Sequence, residues 1–298
     1  LELLKFSRNS LDLRVINLFG CPKPYGYATI QNVHDLTPLP GTEELNLVDL
    51  PKPEDWAGYV DKVPLMTPDA LLNCYKIIDD FVPHIVHTLA LFPGSMFYMH
   101  MLRTVNMRYK PLWLIQARGG PDLAFNKDNP HLRSLIEEML GNCDYFMADT
   151  DFNYRLAREV GLNPAKVADT GPVPGTGGID DSIFADMSLP SRKEKLILWP
   201  KAYFGLQSDG MPVVEALRTV LEQVPDARVV AAGASDYVGF WFNRMLAPYK
   251  ERIELLPRIP HGEMMQLYRR ARILLIPSLS DGIPNSLYEA MASCTVPI

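Results

Sequence analysis

Several features that would quickly classify this chain are scarce or missing. Its four cysteines, Cys21, Cys74, Cys143 and Cys294, are spread over 298 residues without a C-x-x-C spacing. That excludes a zinc knuckle or a dense disulfide frame and reads as free, packed thiols. No apolar run approaches the ~20 residues of a membrane-spanning helix, and the opening "LELLKFSRNS" lacks the charged-then-apolar pattern of a secretory signal. The default compartment is therefore the cytoplasm. Positive charge is not in excess: the formal net charge is -6, which argues against a nucleic-acid partner. Nucleotide fingerprints are incomplete as well. "GTGG" at 175–178 is followed by Asp180 where G-x-G-x-x-G needs its last glycine, and no G-K-[ST] follows. That stretch reads as linker. In "HIVHTL", His84 and His87 stand at an odd spacing, which on a strand points them to opposite faces and argues against a shared metal.

What the chain does have is regular alternation. Short apolar runs read as strands: "LRVINLF" (13–19), "HIVHTL" (84–89), "PLWLIQA" (111–117), "DYFMADT" (144–150), "KVADTG" (166–171), "KLILWP" (195–200), "ARVVAAG" (227–233), "IELLP" (253–257), "ARILLIPS" (271–278) and "TVPI" (295–298). Between them lie stretches whose apolar residues recur at three and four, among them "DALLNCYKIIDDF", "HLRSLIEEML", "DFNYRLAREVG", "MPVVEALRTVLEQV" and "HGEMMQLYRRA". Most of the strands are continuous rather than alternating, as expected when helices cover both faces of a parallel sheet. The expected fold is α/β, with two Rossmann-like halves. The polar stretch "DDSIFADMSLPSRKEK" (180–195) is the best boundary, giving domains 1–187 and 188–298. The first strand and the carboxy-terminal part are expected to be missing, because the chain opens on the tail of a helix and stops inside a strand, where unpaired backbone groups would be exposed.

The last segment, "IPSLSDGIPNSLYEAMASCTVPI" (276–298), runs from a strand through a Gly/Pro loop into a helix start. In an open parallel sheet ligands sit beyond the carboxyl ends of the strands, and a helix N-terminus at such an edge favours an anion. Gly282 allows close approach of backbone to ligand, and Asn285 and Ser286 would face a phosphate. The same residues also fit a purely structural role, a capping box in which Ser286 caps the helix and Glu289 reaches back to it.

The segment resembles the donor-site motif of retaining GT-B glycosyltransferases of the family 4 type, in which two acids are separated by seven residues; here these are Asp281 and Glu289. The likeness extends upstream through "KLILWPKAYFGLQSDGMPVVEALRTVLEQVPDARVVAAGAS" and "KVADTGPVPGTGGIDDSIF", and more weakly to "PHIVHTLALFPGS" and "PLWLIQARGGPDL". The resemblance implies a GT-B fold, with two Rossmann-like domains facing a cleft, and a hexosyl transfer from a nucleotide-diphosphate sugar to a sugar or lipid-linked acceptor with retention of configuration. It implies that Glu289 binds the ribose, that Asp281, Gly282, Ile283 and Pro284 line the transferred sugar, and that Asn285 and Ser286 approach the phosphates. Lys201 matches a basic residue placed on the diphosphate, so Lys201, Asp281 and Glu289 form the expected catalytic set. A second base, usual in the family, falls near Asp209-Gly210, where the charge is reversed. Gly94, Arg118 and Gly119 would lie on the acceptor or phosphate side. No metal and no cofactor are expected, the nucleotide sugar being the substrate.

Other marks are read more plainly. Asp149 and Asp151 in "ADTDF" form an Asp-x-Asp pair, but Asp151 is well placed as a helix N-cap and no metal is assigned to it. "SMFYMHMLRTVNMRYK" (95–110) combines Met, aromatic and basic residues; it reads as core plus a solvated face, with peripheral membrane contact as the alternative. Two further functions remain open: a GT-B-fold nucleotide-sugar 2-epimerase, and a nucleotide-sugar-binding fragment without turnover.

Overall fold

In a computed structural model of the protein, the described residues are 16–17, 48–49, 68–119, 121–174, 189–204, 208–279 and 281–298. The chain divides into two compact units, Leu1–Gly177 and Gly178–Ile298. The residues between this division and a boundary at 187/188 lie outside the described set.

In the first unit, β1 (Ile16–Asn17) pairs in parallel with β2 (Val48–Asp49). A second, fully parallel sheet runs in the order β3 (Ile85–Leu89), β4 (Leu112–Ala117), β5 (Tyr145–Ala148). Parallel neighbours need a crossover, which usually carries a helix. Here α2 (Met96–Thr104) and α3 (Pro130–Asn142) serve β3 to β4 and β4 to β5, while α1 (Pro68–Phe81) precedes the sheet and α4 (Asp151–Glu159) follows it. The core gathers Trp113 and Ile115 of β4, Phe146 of β5, Met96 and Met101 of α2, and Ile136 and Met139 of α3, all essentially inaccessible. Burying side chains of this size stabilises by about 1.5–3 kcal/mol each. The Met/aromatic stripe of α2 is therefore part of this core. Met96, Phe97, Tyr98, Met99 and Met101 are all buried, Arg103 pairs with Glu138, and Arg108 pairs with Asp79.

"KVADTG" does not form a strand. Asn163 caps a short turn over Pro164–Lys166, and Val167 makes only a single bridge to Phe146 before the chain turns at Gly171, whose φ is +63°.

The second unit holds a five-stranded parallel sheet in the order β10 (Val296–Pro297), β9 (Ala271–Leu274), β6 (Glu194–Trp199), β7 (Arg228–Ala232), β8 (Ile253–Leu256). Counted from β6, the spatial order is 3-2-1-4-5, the doubly wound arrangement, whose switch point lies between β6 and β9. Helices α5 (Met211–Gln223), α6 (Asp236–Met245), α7 (His261–Arg270) and α8 (Asn285–Ala292) connect the strands.

The continuous apolar run of β6 serves both faces. Ile197 and Trp199 pack with Val214, Leu217, Val229 and Phe242, while Leu196 and Leu198 pack with Val230, Tyr268, Leu274 and Ala290. Period-two alternation inside one run accounts for this split. Lys193, 6% exposed, braces the second face. Its Nζ donates to the carbonyls of Tyr268 (2.9 Å) and Ser293 and to Thr295 Oγ1 (2.8 Å).

Candidate functional site

The sheet order of the second unit decides which loops meet. β6 and β9 are far apart in sequence yet adjacent in the sheet, so the loops leaving their carboxyl ends run side by side. Ser208 and Ser278 form a bridge between these loops, and Asp209 N donates to Pro277 O at 3.2 Å. Ala202 N donates to Ala232 O at 3.0 Å, tying the β6 loop to the end of β7 as well. Lys201 and Asp281 face each other across the switch point, with Nζ 3.6 Å from Oδ2 and side chains 50% and 33% exposed. Asp281 Oδ1 also accepts from Gly282 N at 2.9 Å. Tyr203, two residues after Lys201, has its hydroxyl pushed up first by burial and then by the negative charge of Asp281, while the positive charge of Arg258 acts in the opposite direction.

Gly282, Ile283 and Pro284, all partly exposed, connect Asp281 to α8. The capping box does not form. α8 begins at Asn285 with Pro284 at its cap and no side-chain cap hydrogen bond, so Ser286 is already inside the first turn, where it is buried. A proline ahead of the first helical residue carries no donor of its own and moves the helix start upstream of Ser286. Glu289, 8% exposed, turns instead to the neighbouring helix α7, where its Oε1 lies 2.7 Å from His261 Nε2. Its charge also acts on Tyr268, whose hydroxyl is pushed up by burial first and then by Glu289. His261, Tyr268 and Arg258 were missed in the sequence. No local pattern marks them, because each is joined to the site by strand and helix neighbours distant along the chain.

At Asp209-Gly210 the structure has a local explanation for both residues. Asp209 Oδ1 accepts from Met211 N (3.1 Å) at the start of α5. A Cβ on Gly210 would lie 2.8 Å from Trp199 Cη2 and 2.9 Å from Phe204 Cζ, so packing demands glycine there.

In the first unit the residues assigned to the acceptor or phosphate side lie in the loops after β3 and β4. A Cβ on Gly94 would meet Leu89 O at 2.4 Å, so this glycine allows the backbone to fold back on β3. The amides of Arg118 and Gly119 are already committed: Arg118 N donates to Asp122 Oδ2 (2.7 Å) and Gly119 N to Asp149 Oδ2 (2.6 Å). Asp149 is buried and also accepts from Asn153 Nδ2 at 2.7 Å. The cap of α4 is Thr150, whose hydroxyl accepts from Asn153 N at 3.1 Å, rather than Asp151, which stands in the first turn. Asp149 thus holds the loop after β4, and Thr150 rather than Asp151 has the extended backbone of a cap.

Two α/β units with parallel sheets make up the chain, and their superposition on solved glycosyltransferases gives the class, a GT-B fold. The profile of the family glycosyl transferases group 1 matches residues 209–298, which cover α5 through β10 and contain Asp281 and Glu289. A comparison with curated protein sequences found no match. Among solved structures, HepE of Anabaena in complex with UDP-glucose superposes with a TM-score of 0.63 at 9% identity, covering 95% of this chain and 79% of its own. Sucrose-phosphate synthase of Thermosynechococcus elongatus gives 0.60 at 15% identity, with coverages of 84% and 64%. A variant of S. aureus TarM in complex with fondaparinux, alpha-GlcNAc-glycerol and UDP gives 0.58 at 11%, with coverages of 76% and 44%. Identities this low show a shared fold. The chain spans less than two thirds of the synthase and less than half of TarM.

Proposed function

We propose that this protein transfers a hexosyl group from a nucleotide-diphosphate sugar to a sugar or lipid-linked acceptor, with retention of anomeric configuration and without a metal. The observation that carries the reading is the Lys201–Asp281 pair at the switch point of a doubly wound sheet, inside and beside the segment matched by the glycosyl transferases group 1 profile. HepE in complex with UDP-glucose shares the fold and supports the choice of donor class.

In this reading the diphosphate lies at the start of α8, near Asn285 and Ser286, where the helix dipole favours negative charge. Glu289 accepts hydrogen bonds from the vicinal ribose hydroxyls, for which a carboxylate held by His261 is well suited. Asp281 and the 282–284 loop contact the sugar. Lys201 leaves Asp281 to meet the negative charge that builds on the departing diphosphate. With no carboxylate nucleophile assigned, the acceptor attacks from the leaving-group face and gives up its proton to that diphosphate. One well-placed donor to the developing charge is worth roughly 3 kcal/mol, or about 100-fold in rate. With a lipid-linked acceptor the reaction takes place in the cytoplasm, at the inner face of the membrane.

The test is turnover against a panel of activated sugars, with product analysis. Lys201→Ala is expected to lower turnover by about two orders of magnitude. The reading fails if the protein binds neither UDP nor GDP and hydrolyses or transfers no donor in the panel. Release of an epimerised sugar without any acceptor would replace it with the isomerase.

A further inference from the structure

The proposed donor site is short of positive charge for the ligand assigned to it. Asp281 and Glu289 bring carboxylates, and Asp209 adds another on the loop bridged to the β9 loop. Against them the β6 loop offers Lys201, which already stands 3.6 Å from Asp281. Like charges repel one another, and a nucleoside diphosphate brings several negative charges of its own. A further cation at this edge would offset them.

The third loop at this edge supplies one. Gly233 N donates to Pro257 O (3.2 Å) and Ala234 N to Leu256 O (3.0 Å), which lays the chain after β8 along the end of β7. Gly233 has a φ of +65°; a Cβ there would stand 3.9 Å from Arg258 Cγ and 3.9 Å from the carbonyl oxygen of Pro200. Arg258 Cγ and the carbonyl of Pro200, the residue that precedes Lys201, therefore both flank the bare face of Gly233. Its charge reaches the Tyr203 hydroxyl, on which Asp281 also acts.

We infer that Arg258 is a donor-binding residue, its guanidinium passing Gly233 to hold the diphosphate of the nucleotide sugar beside Lys201. The inference rests on the glycosyltransferase reading above and adds a residue to it. A guanidinium fork can engage two phosphate oxygens at once, which a lysine cannot, so Arg258 would orient the diphosphate while Lys201 neutralises it.

Calorimetric titration of the wild type, R258A and R258K with UDP and UMP, and in parallel with GDP and GMP, tests this directly. Melting temperatures of the three proteins are read in parallel, so that a loss of fold is told apart from a loss of binding. The expected result is that R258A reduces the preference for the diphosphate over the monophosphate by about tenfold, with R258K intermediate. An unchanged preference overturns the inference, whether R258A has no effect or weakens both nucleotides equally. If the wild type binds none of the four nucleotides, the donor-site reading itself falls and takes this role with it.

Discussion

His261 Nε2 lies 2.7 Å from Glu289 Oε1, joining the first residue of α7 to the second turn of α8. Glu289 is 8% exposed while the histidine side chain is 47% exposed, so the carboxylate is presented from inside the unit by a partner at its surface. A carboxylate held in one orientation can receive a vicinal diol without first losing its own rotamer freedom. Glu289→Gln keeps the shape and removes the charge. UDP affinity is expected to fall about tenfold, the scale of one charge-assisted hydrogen bond, whereas a 2′,3′-dideoxy-UDP probe should bind wild type and variant alike. Equal losses for both probes would remove Glu289 from the ribose.

Lys193 is a different kind of charged residue, a structural one. Its Nζ is enclosed by two carbonyls and the Thr295 hydroxyl, linking the approach to β6 with the ends of α7 and α8 and the start of β10. Lys193→Met removes the donor to Ser293 O and Thr295 Oγ1 and leaves Tyr268 O with the Thr295 hydroxyl alone. The expected cost is about 2–4 kcal/mol, read as a lower urea midpoint with an unchanged m-value for the second unit.

Asp122 makes the first unit sensitive to pH. Burial pushes its carboxyl up to about 7, outweighing the amides of Arg118, Leu91 and Phe92, which favour the charged form. In the unfolded chain the same group titrates near 3.8. The folded state therefore holds a proton that the unfolded state has released throughout this window. The stability it contributes is fully present below about 4 and is lost as pH rises to about 7, by a few kcal/mol at roughly 1.4 kcal/mol per unit. Denaturation of wild type and Asp122→Asn between pH 4 and 8 should show that slope in the first and a flatter one in the second. Parallel profiles would show that Asp122 ionises at its ordinary value.

Cys294 has a φ of +57° just after α8, a conformation that costs little only for glycine. Its amide closes the helix by donating to Met291 O at 3.0 Å, a bond that glycine would keep. Cys294→Gly is expected to raise stability by roughly 0.5–1 kcal/mol, the left-handed strain relieved less glycine's extra freedom in the unfolded chain, visible as a higher melting temperature. A lower one would mean that the lost thiol packing outweighs the strain relieved.

Much of the local structure was readable along the chain because its causes are local. The run from Lys195 to Trp199 has an apolar residue at nearly every position, and β6 forms there with both faces covered. The three-and-four spacing in "MPVVEALRTVLEQV" became α5 over Met211–Gln223. Misreadings arose where neighbours decide. "KVADTG" has a strand-like start but is broken by the turns on either side. Thr150 rather than Asp151 caps α4, because the backbone is extended at Thr150 (φ −145°) and already helical one residue later.

The sequence by itself determined the alternation of strands and helices, the parallel α/β class, and the loop-to-helix segment that bears Asp281 and Glu289, since periodicity, turn residues and helix starts act over a few residues. Only the tertiary structure decided that Lys201 stands opposite Asp281, that His261 meets Glu289, and that Arg258 and Pro200 flank the same face of Gly233. Those relations come from the order of strands in the sheet. That order is set by burying two apolar faces at once, and no short stretch of chain encodes it.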